Sequence, residues 1–263
     1  MATMTKPATQ GKSRRKLRRV FSAISHDSAH KHVAGSALYV DDIPEPSDLL
    51  HCYFGASQFA HAKVLSMDLS AVTAYPGVVR TLTAADIPGD NEISPMHKFD
   101  EPVLADKLVQ FAGQPLFAVV AQSRAIARRA AQLARIEYEE LPAILDIETA
   151  LTEKSYVLEP HSMQRGDPQA AIEAAPHRLR GQVLTGGQDH FYLEGQVSIA
   201  IPQEDGDMLI HTSSQHPTEV QHLVARSLGK PIHAVTVEVR RMGGAFGGKE
   251  TQAAQWATMG VVM

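Results

Sequence analysis

The chain has 263 residues, 44% of them hydrophobic, with 25 Lys and Arg against 29 Asp and Glu, a formal net charge of −4. That length suits one large or two modest domains. The charge offers no general attraction to nucleic acid, no apolar run reaches the roughly 18 residues of a membrane span, and the single Cys52 excludes an internal disulfide or an iron–sulfur cluster held by this chain alone, fitting a reducing, cytoplasmic setting.

The start is basic, with Lys12, Arg14, Arg15, Lys16, Arg18 and Arg19 close together and no apolar stretch after them. Residues 1–25 therefore read as a solvated, disordered tail rather than an export signal. Leu50–Ser57 and Lys63–Asp68 are strand candidates. Ala71–Tyr75 reads as a short helix stopped by Pro76-Gly77, and Val78–Leu82 as the strand that follows. Leu116–Val120 is continuously apolar, the pattern of a buried strand. Ser123 is a good N-cap for a helix whose apolar face carries Ile126, Ala127, Ala130, Leu133 and Ala134, with Arg124, Arg128, Arg129 and Arg135 outside. Ile136–Tyr138 returns as a strand, so this stretch predicts a right-handed strand–helix–strand crossover. Glu139 and Glu140 are adjacent on that strand and point to opposite faces, which makes them solvated acids rather than a catalytic pair.

Residues 143–180, broken by Pro160, Gly166, Pro168 and Pro176, read as a connecting region. The organisation is thus a tail (1–25), a first mixed α/β domain (26–142), a connector (143–180) and the beginning of a second domain (181–263). In the second domain Gly181–Leu184, Val197–Pro202 and Met208–Thr212 are strand candidates. Pro217 opens a helix with Val220, Leu223, Val224 and Leu228 inward and Gly229 as its C-terminal cap. Val235–Arg240 alternates as a half-buried strand does, and the residues after Thr251 are helix formers. No repeat of fixed period occurs.

Between that strand and helix lies Met242-Gly243-Gly244-Ala245-Phe246-Gly247-Gly248-Lys249-Glu250-Thr251. Strand, glycine loop and helix in this order can aim free backbone N–H groups at an anion. The glycines can equally serve a tight turn by supplying positive φ. Gly243 to Lys249 satisfies part of a nucleotide-binding loop, but Glu250 stands where a hydroxyl would hold magnesium. A nucleoside-triphosphatase with an aberrant loop is therefore a rival reading, as is a non-catalytic binding fragment. The dinucleotide fingerprint is absent. The histidines, including the groups His26, His30, His32 and His211, His216, His222, match no zinc spacing, and no G-x-S-x-G elbow occurs.

The loop resembles the molybdopterin-binding loop of the xanthine dehydrogenase and aldehyde oxidase family. Three further segments resemble that family in order: Gly35-Ser36-Ala37-Leu38-Tyr39-Val40-Asp41-Asp42-Ile43-Pro44, Tyr138-Glu139-Glu140-Leu141-Pro142-Ala143 and Gly186-Gly187-Gln188-Asp189-His190-Phe191-Tyr192-Leu193-Glu194. Together they cover residues 26 to 258. His26-Asp27-Ser28 and the Asp189–Glu194 wording are closest to the family's separate molybdenum-binding subunits. Ala245 replaces a glycine found in many relatives and adds one methyl.

The resemblance implies a hammerhead-like α/β domain followed by the first part of a molybdopterin-binding domain. It implies that Gln188 donates a hydrogen bond in the second shell of molybdenum, that Gly244, Phe246 and Gly247 bind the cofactor by backbone, and that Glu250 orients a purine while shielded beside Phe246. Lys249 is then a wet or structural residue. His190, beside Gln188, supports the segment that carries Gln188 rather than reacting. The implied reaction is oxidation of xanthine or hypoxanthine to urate with oxygen from water; an aldehyde is the alternative substrate. Electrons would leave through iron–sulfur clusters and FAD on a partner subunit to NAD. The family pattern continues past Met263 and includes the base glutamate, so the resemblance also implies that the C-terminal remainder of the subunit is needed and that this chain alone is inactive.

Overall fold

The computed structural model describes residues 22–95 and 100–263. Most of the tail expected over residues 1–25 lies outside the described residues; residues 22–25 are exposed and irregular. The chain divides into two compact units after Leu38. In the first, α1 (Ala29–Val33) is a single turn with no buried residue. His26 Nδ1 accepts from the Ser28 amide at 3.1 Å ahead of it.

The second unit, Tyr39–Met263, is mixed α/β. In chain order it holds β1 (His51–Ala56), β2 (Ala62–Asp68), α2 (Ser70–Thr73), β3 (Val78–Thr83), β4 (Leu108–Val109), β5 (Pro115–Ala121), α3 (Arg124–Ala131) and β6 (Arg135–Glu140). There follow α4 (Ile147–Thr152), α5 (Pro168–Ala174), β7 (Ser198–Pro202), β8 (Met208–Thr212), α6 (Pro217–Leu228), β9 (Val235–Glu238) and α7 (Ala253–Val262).

The apolar run of β5 becomes the middle strand of the sheet β1-β5-β3, every residue buried. Its side chains alternate between two cores. Phe117, Val119 and Ala121 face Ala62, Val72, Ala127 and Ala130, whereas Ala118 and Val120 face Leu82, Leu104 and Met259. Phe117 needs Gly55 opposite it, since a Cβ there would stand 1.9 Å from the ring. Ser123 caps α3 as expected, its hydroxyl accepting from the Ile126 amide at 3.3 Å.

The crossover expected around α3 is not formed. β5 and β6 lie in different sheets, the second ordered β4-β2-β6, and all their pairings are antiparallel. β5 needs cover on both faces. β6 alternates half-buried and exposed residues and is tied to β2, with Lys63 Nζ donating to Glu139 Oε1 at 2.9 Å. Glu139 and Glu140 are both exposed. Cys52 is half-buried beside the second core, and burial pushes its thiol up to about 12, so it is an unreactive packing residue.

The strand–helix–strand unit occurs instead at β8-α6-β9, where β8 and β9 pair in parallel from Met208↔Val235 to His211↔Glu238. Pro217 opens α6, the His216 ring accepts from the Glu219 amide at 3.0 Å, and Gly229 closes the helix at φ 64°. Val220, Leu223 and Val224 pack with Ile210, Val235, Ala254 and Ala257. The strand expected over Gly181–Leu184 is absent: residues 176–195 carry no regular structure, and Val183 and Leu184 are each 87% exposed with no strand to pair with. The connector 143–180 contains α4 and α5, capped by Asp146 and Asp167 and burying nothing. An Asp three residues before a free amide was the available signal for both.

The β7–β9 layer is joined firmly to the earlier sheets. The Gly89 amide donates to Ser227 O at 2.8 Å, Gln255 Nε2 to Val103 O at 2.9 Å, and Arg226 Nη2 to Glu92 O at 3.0 Å. Trp256 meets Phe54 edge-on at 4.9 Å, and Met259 of α7 is buried in the β5 core.

Candidate functional site

The glycine loop leaves the carboxyl end of β9 and runs into α7. Beside it, at the carboxyl end of the parallel neighbour β8, Ser213, Ser214 and Gln215 lead into α6. Loops at the carboxyl ends of adjacent parallel strands are where α/β sheets place ligands.

Within the loop Gly244 has φ 105°, Phe246 φ 51° and Gly247 φ 94°. The glycines adopt such angles freely. Phe246 does not: a left-handed phenylalanine costs about 1–3 kcal/mol and persists only where its surroundings impose it. Its side chain is 75% exposed, so packing of the ring does not offset that cost. The amides of Gly244 and Phe246 enter no hydrogen bond among the described residues.

Two glycines serve a different end. A Cβ on Gly243 would stand 2.4 Å from Glu194 Cβ, and one on Gly248 would stand 2.7 Å from Tyr192 Cε1 and 3.0 Å from His190 Cγ. The loop therefore lies directly on the segment 190–194. The Glu194 amide donates to Gly243 O at 3.2 Å, and Gln196 Nε2 donates to Gly248 O at 2.8 Å. Two stretches far apart in sequence form one surface, with His190 lying against Gly248.

Lys249 is fully buried. Its Nζ lies 3.2 Å from Glu194 Oε2, 2.8 Å from Ser213 Oγ and 4.7 Å from the centre of the Tyr192 ring. It is thus structural and not wet, and it has no freedom to reach a triphosphate, which removes the lysine a nucleotide-binding loop requires. Gln215 Oε1 accepts from the Gly247 amide at 2.9 Å and the Lys249 amide at 3.3 Å. The Gly247 amide is therefore already engaged, whereas those of Gly244, Ala245 and Phe246 make no hydrogen bond among the described residues.

Gln188 lies two residues before His190 and is exposed, as is Glu250 just past the loop; neither side chain makes a hydrogen bond among the described residues. With Phe246 also exposed, the shielding expected for Glu250 is not present in this chain. Sequence reasoning passed over Glu194, Ser213, Gln215 and Tyr192. The polar run Ser213-Ser214-Gln215 between a buried strand and a proline-opened helix was a usable signal; nothing in the sequence pairs Glu194 with Lys249.

Residues 34–142 match the family described as the aldehyde oxidase and xanthine dehydrogenase a/b hammerhead domain, and residues 151–263 match the molybdopterin cofactor-binding domain. Xanthine dehydrogenase/oxidase of Gallus gallus is 40% identical over 86% of this chain, and aldehyde oxidase 4 of Rattus norvegicus 39% identical over 88%. The chain spans about 17% of the length of each. Among solved structures, the aldehyde oxidoreductase of Desulfovibrio gigas superposes with a TM-score of 0.77 at 26% identity, covering 90% of this chain and 28% of that one. Quinoline 2-oxidoreductase of Pseudomonas putida 86 gives 0.74 at 27% identity, covering 91% of this chain and 33% of that one. With a hammerhead domain leading into a molybdopterin cofactor-binding domain, and relatives matched along nearly its whole length, the chain belongs to the aldehyde oxidase and xanthine dehydrogenase family.

Proposed function

We propose that this chain is part of a molybdenum hydroxylase and supplies one wall of its cofactor pocket. The observation that carries the reading is the loop Gly243–Gly248. Its Gly244, Ala245 and Phe246 amides make no hydrogen bond among the described residues, and the phenylalanine is held at positive φ, beside the start of α7. These donors fit an anionic, phosphate-bearing pterin: a hydrogen bond to a charged acceptor contributes about 1.5–3 kcal/mol, and the arrangement needs no lysine. The Gly247 amide could join them if Gln215 shares it.

Bound there, molybdenum–molybdopterin would supply the two-electron oxidation and deliver oxygen derived from water. The chain's own residues hold and orient. Gly244, Phe246 and Gly247 would bind the cofactor through backbone N–H groups. Gln188 would donate its side-chain amide toward the metal's surroundings. Glu250 would orient the substrate by sharing a proton with a ring nitrogen. Exposure of Gln188 and Glu250 leaves both free to meet a ligand. We favour a purine, xanthine or hypoxanthine, because Glu250 suits a ring nitrogen; an aldehyde is the alternative, and relatives of both kinds are similar to this chain to the same degree. Iron–sulfur clusters and FAD would sit on other parts of the enzyme, with NAD as acceptor, since one cysteine cannot hold a cluster. We keep the division into domains 26–142 and 181–263 with a connector between as part of this proposal.

The test is expression of residues 1–263 alone and together with the remaining length seen in relatives, followed by molybdenum analysis and a urate assay. Molybdenum and turnover only in the longer assembly are expected. Molybdenum absent from the longer assembly would end the reading. A non-catalytic binding role would show as bound molybdopterin without oxidation of xanthine or an aldehyde.

A further inference from the structure

The two ends of the glycine loop are fastened to a single carboxylate. Glu194 Oε2 accepts from the Gly243 amide at 2.7 Å where the loop begins, and lies 3.2 Å from Lys249 Nζ where it ends. The Ser213 hydroxyl donates to the same oxygen at 2.5 Å and receives the Lys249 ammonium at 2.8 Å. Glu194 is 10% exposed and Lys249 not at all, so the pair sits out of water. A charged pair buried under a loop is costly to assemble and costly to break, because removal of one partner strands the other. Every unpaired amide of the loop lies between the two fastened ends.

We propose that Glu194 and Lys249 are positioning residues: a buried latch that sets the length and twist of the Gly243–Lys249 loop, forces Phe246 into its left-handed conformation, and so presents its amide to the cofactor before the cofactor arrives. The inference rests on the cofactor reading for its purpose, but not for its geometry. Tyr192 and the Gly243 and Gly248 contacts form the floor against which the latch closes. Ser214 Oγ and the Gln215 amide, which donate to Lys249 O at 3.2 and 2.8 Å, hold the lysine backbone from the other side.

The test has two arms. In the first, amide hydrogen exchange is followed on residues 1–263 for the wild type, Glu194→Gln, Lys249→Met and the double variant. The hydrogen-bonded amides of Gly243, Gly247, Gly248 and Lys249 should exchange about tenfold faster in each single variant while those of α6 hold within about twofold. The double variant buries no lone charge, so its thermal midpoint should recover above the single variants while its loop stays fast; it also carries the test if a single variant fails to fold. Loop exchange that is unchanged, that rises no more than α6, or that returns to wild type in the double variant would overturn the latch. In the second arm, molybdenum content is measured in the longer assembly. Wild type loaded and Glu194→Gln depleted is expected. Full loading of Glu194→Gln would end the proposed purpose, whereas an unloaded wild type would end the cofactor reading and leave the exchange result standing.

Discussion

The strand β5 and the segment 176–195 both carry large apolar side chains, yet they meet opposite fates. β5 is buried along its whole length between two cores. In the segment, Leu179, Val183, Leu184 and Leu193 are all more than four-fifths exposed, and the glycine loop meets it at His190, Tyr192 and Glu194. Apolar residues become a core only when neighbouring elements supply surface to cover them. β5 has β1, β3 and α3 beside it; residues 176–189 have no such neighbour among the described residues.

That contrast sets the size of the effects to be expected. Phe117→Ala should be the most damaging, lowering stability by about 3–5 kcal/mol, because a large ring leaves a cavity that rigid neighbours cannot fill; denaturant unfolding measures it, and a loss under 1 kcal/mol would mean that the β5 core is not continuous. Gly243→Ala comes next. Its methyl would intrude on Glu194, and forcing extra volume into a packed site costs about 1–3 kcal/mol. A loss confined to thermal stability of the β7–β9 layer would sharpen the comparison; no loss would show that the loop does not rest on residues 190–194.

A smaller effect is expected at Asp86. Its carboxyl is held below the usual range, chiefly by the Thr83 amide it accepts at 2.8 Å. A lowered pKa means stability that is present above the ordinary carboxylate value and lost as pH falls through the folded one. Asp86→Asn should cost about 1 kcal/mol at neutral pH, the usual worth of such a cap, and nothing in strong acid. A cost that does not shrink as pH falls through the acid range would refute the assignment. Least of all, Leu184→Ser should change the stability of residues 1–263 by less than about 0.5 kcal/mol, as exposed sites do. A larger loss would mean that the segment packs against something in this chain after all.

Much of this was legible in the sequence. The period of β5, the Ser123 cap, the Pro217 start and Gly229 stop of α6, and the strand–loop–helix around Gly243–Gly248 follow from local rules: side-chain alternation, orphan amides at helix ends and the φ freedom of glycine. The motif wording gave the family, and with it the residues proposed for the site. What only the tertiary structure decided was pairing. The expected crossover at α3 gave way to one at α6 because strand partners depend on which faces need cover. The glycines at 243 and 248 proved to be sites of close approach as much as of turning. Lys249, which by spacing could have gripped a phosphate, is instead spent on Glu194, a residue 55 positions earlier in the chain. Local sequence carries no record of such a contact, because a buried charge is fixed by whichever opposite charge the finished fold brings within about 3 Å of it.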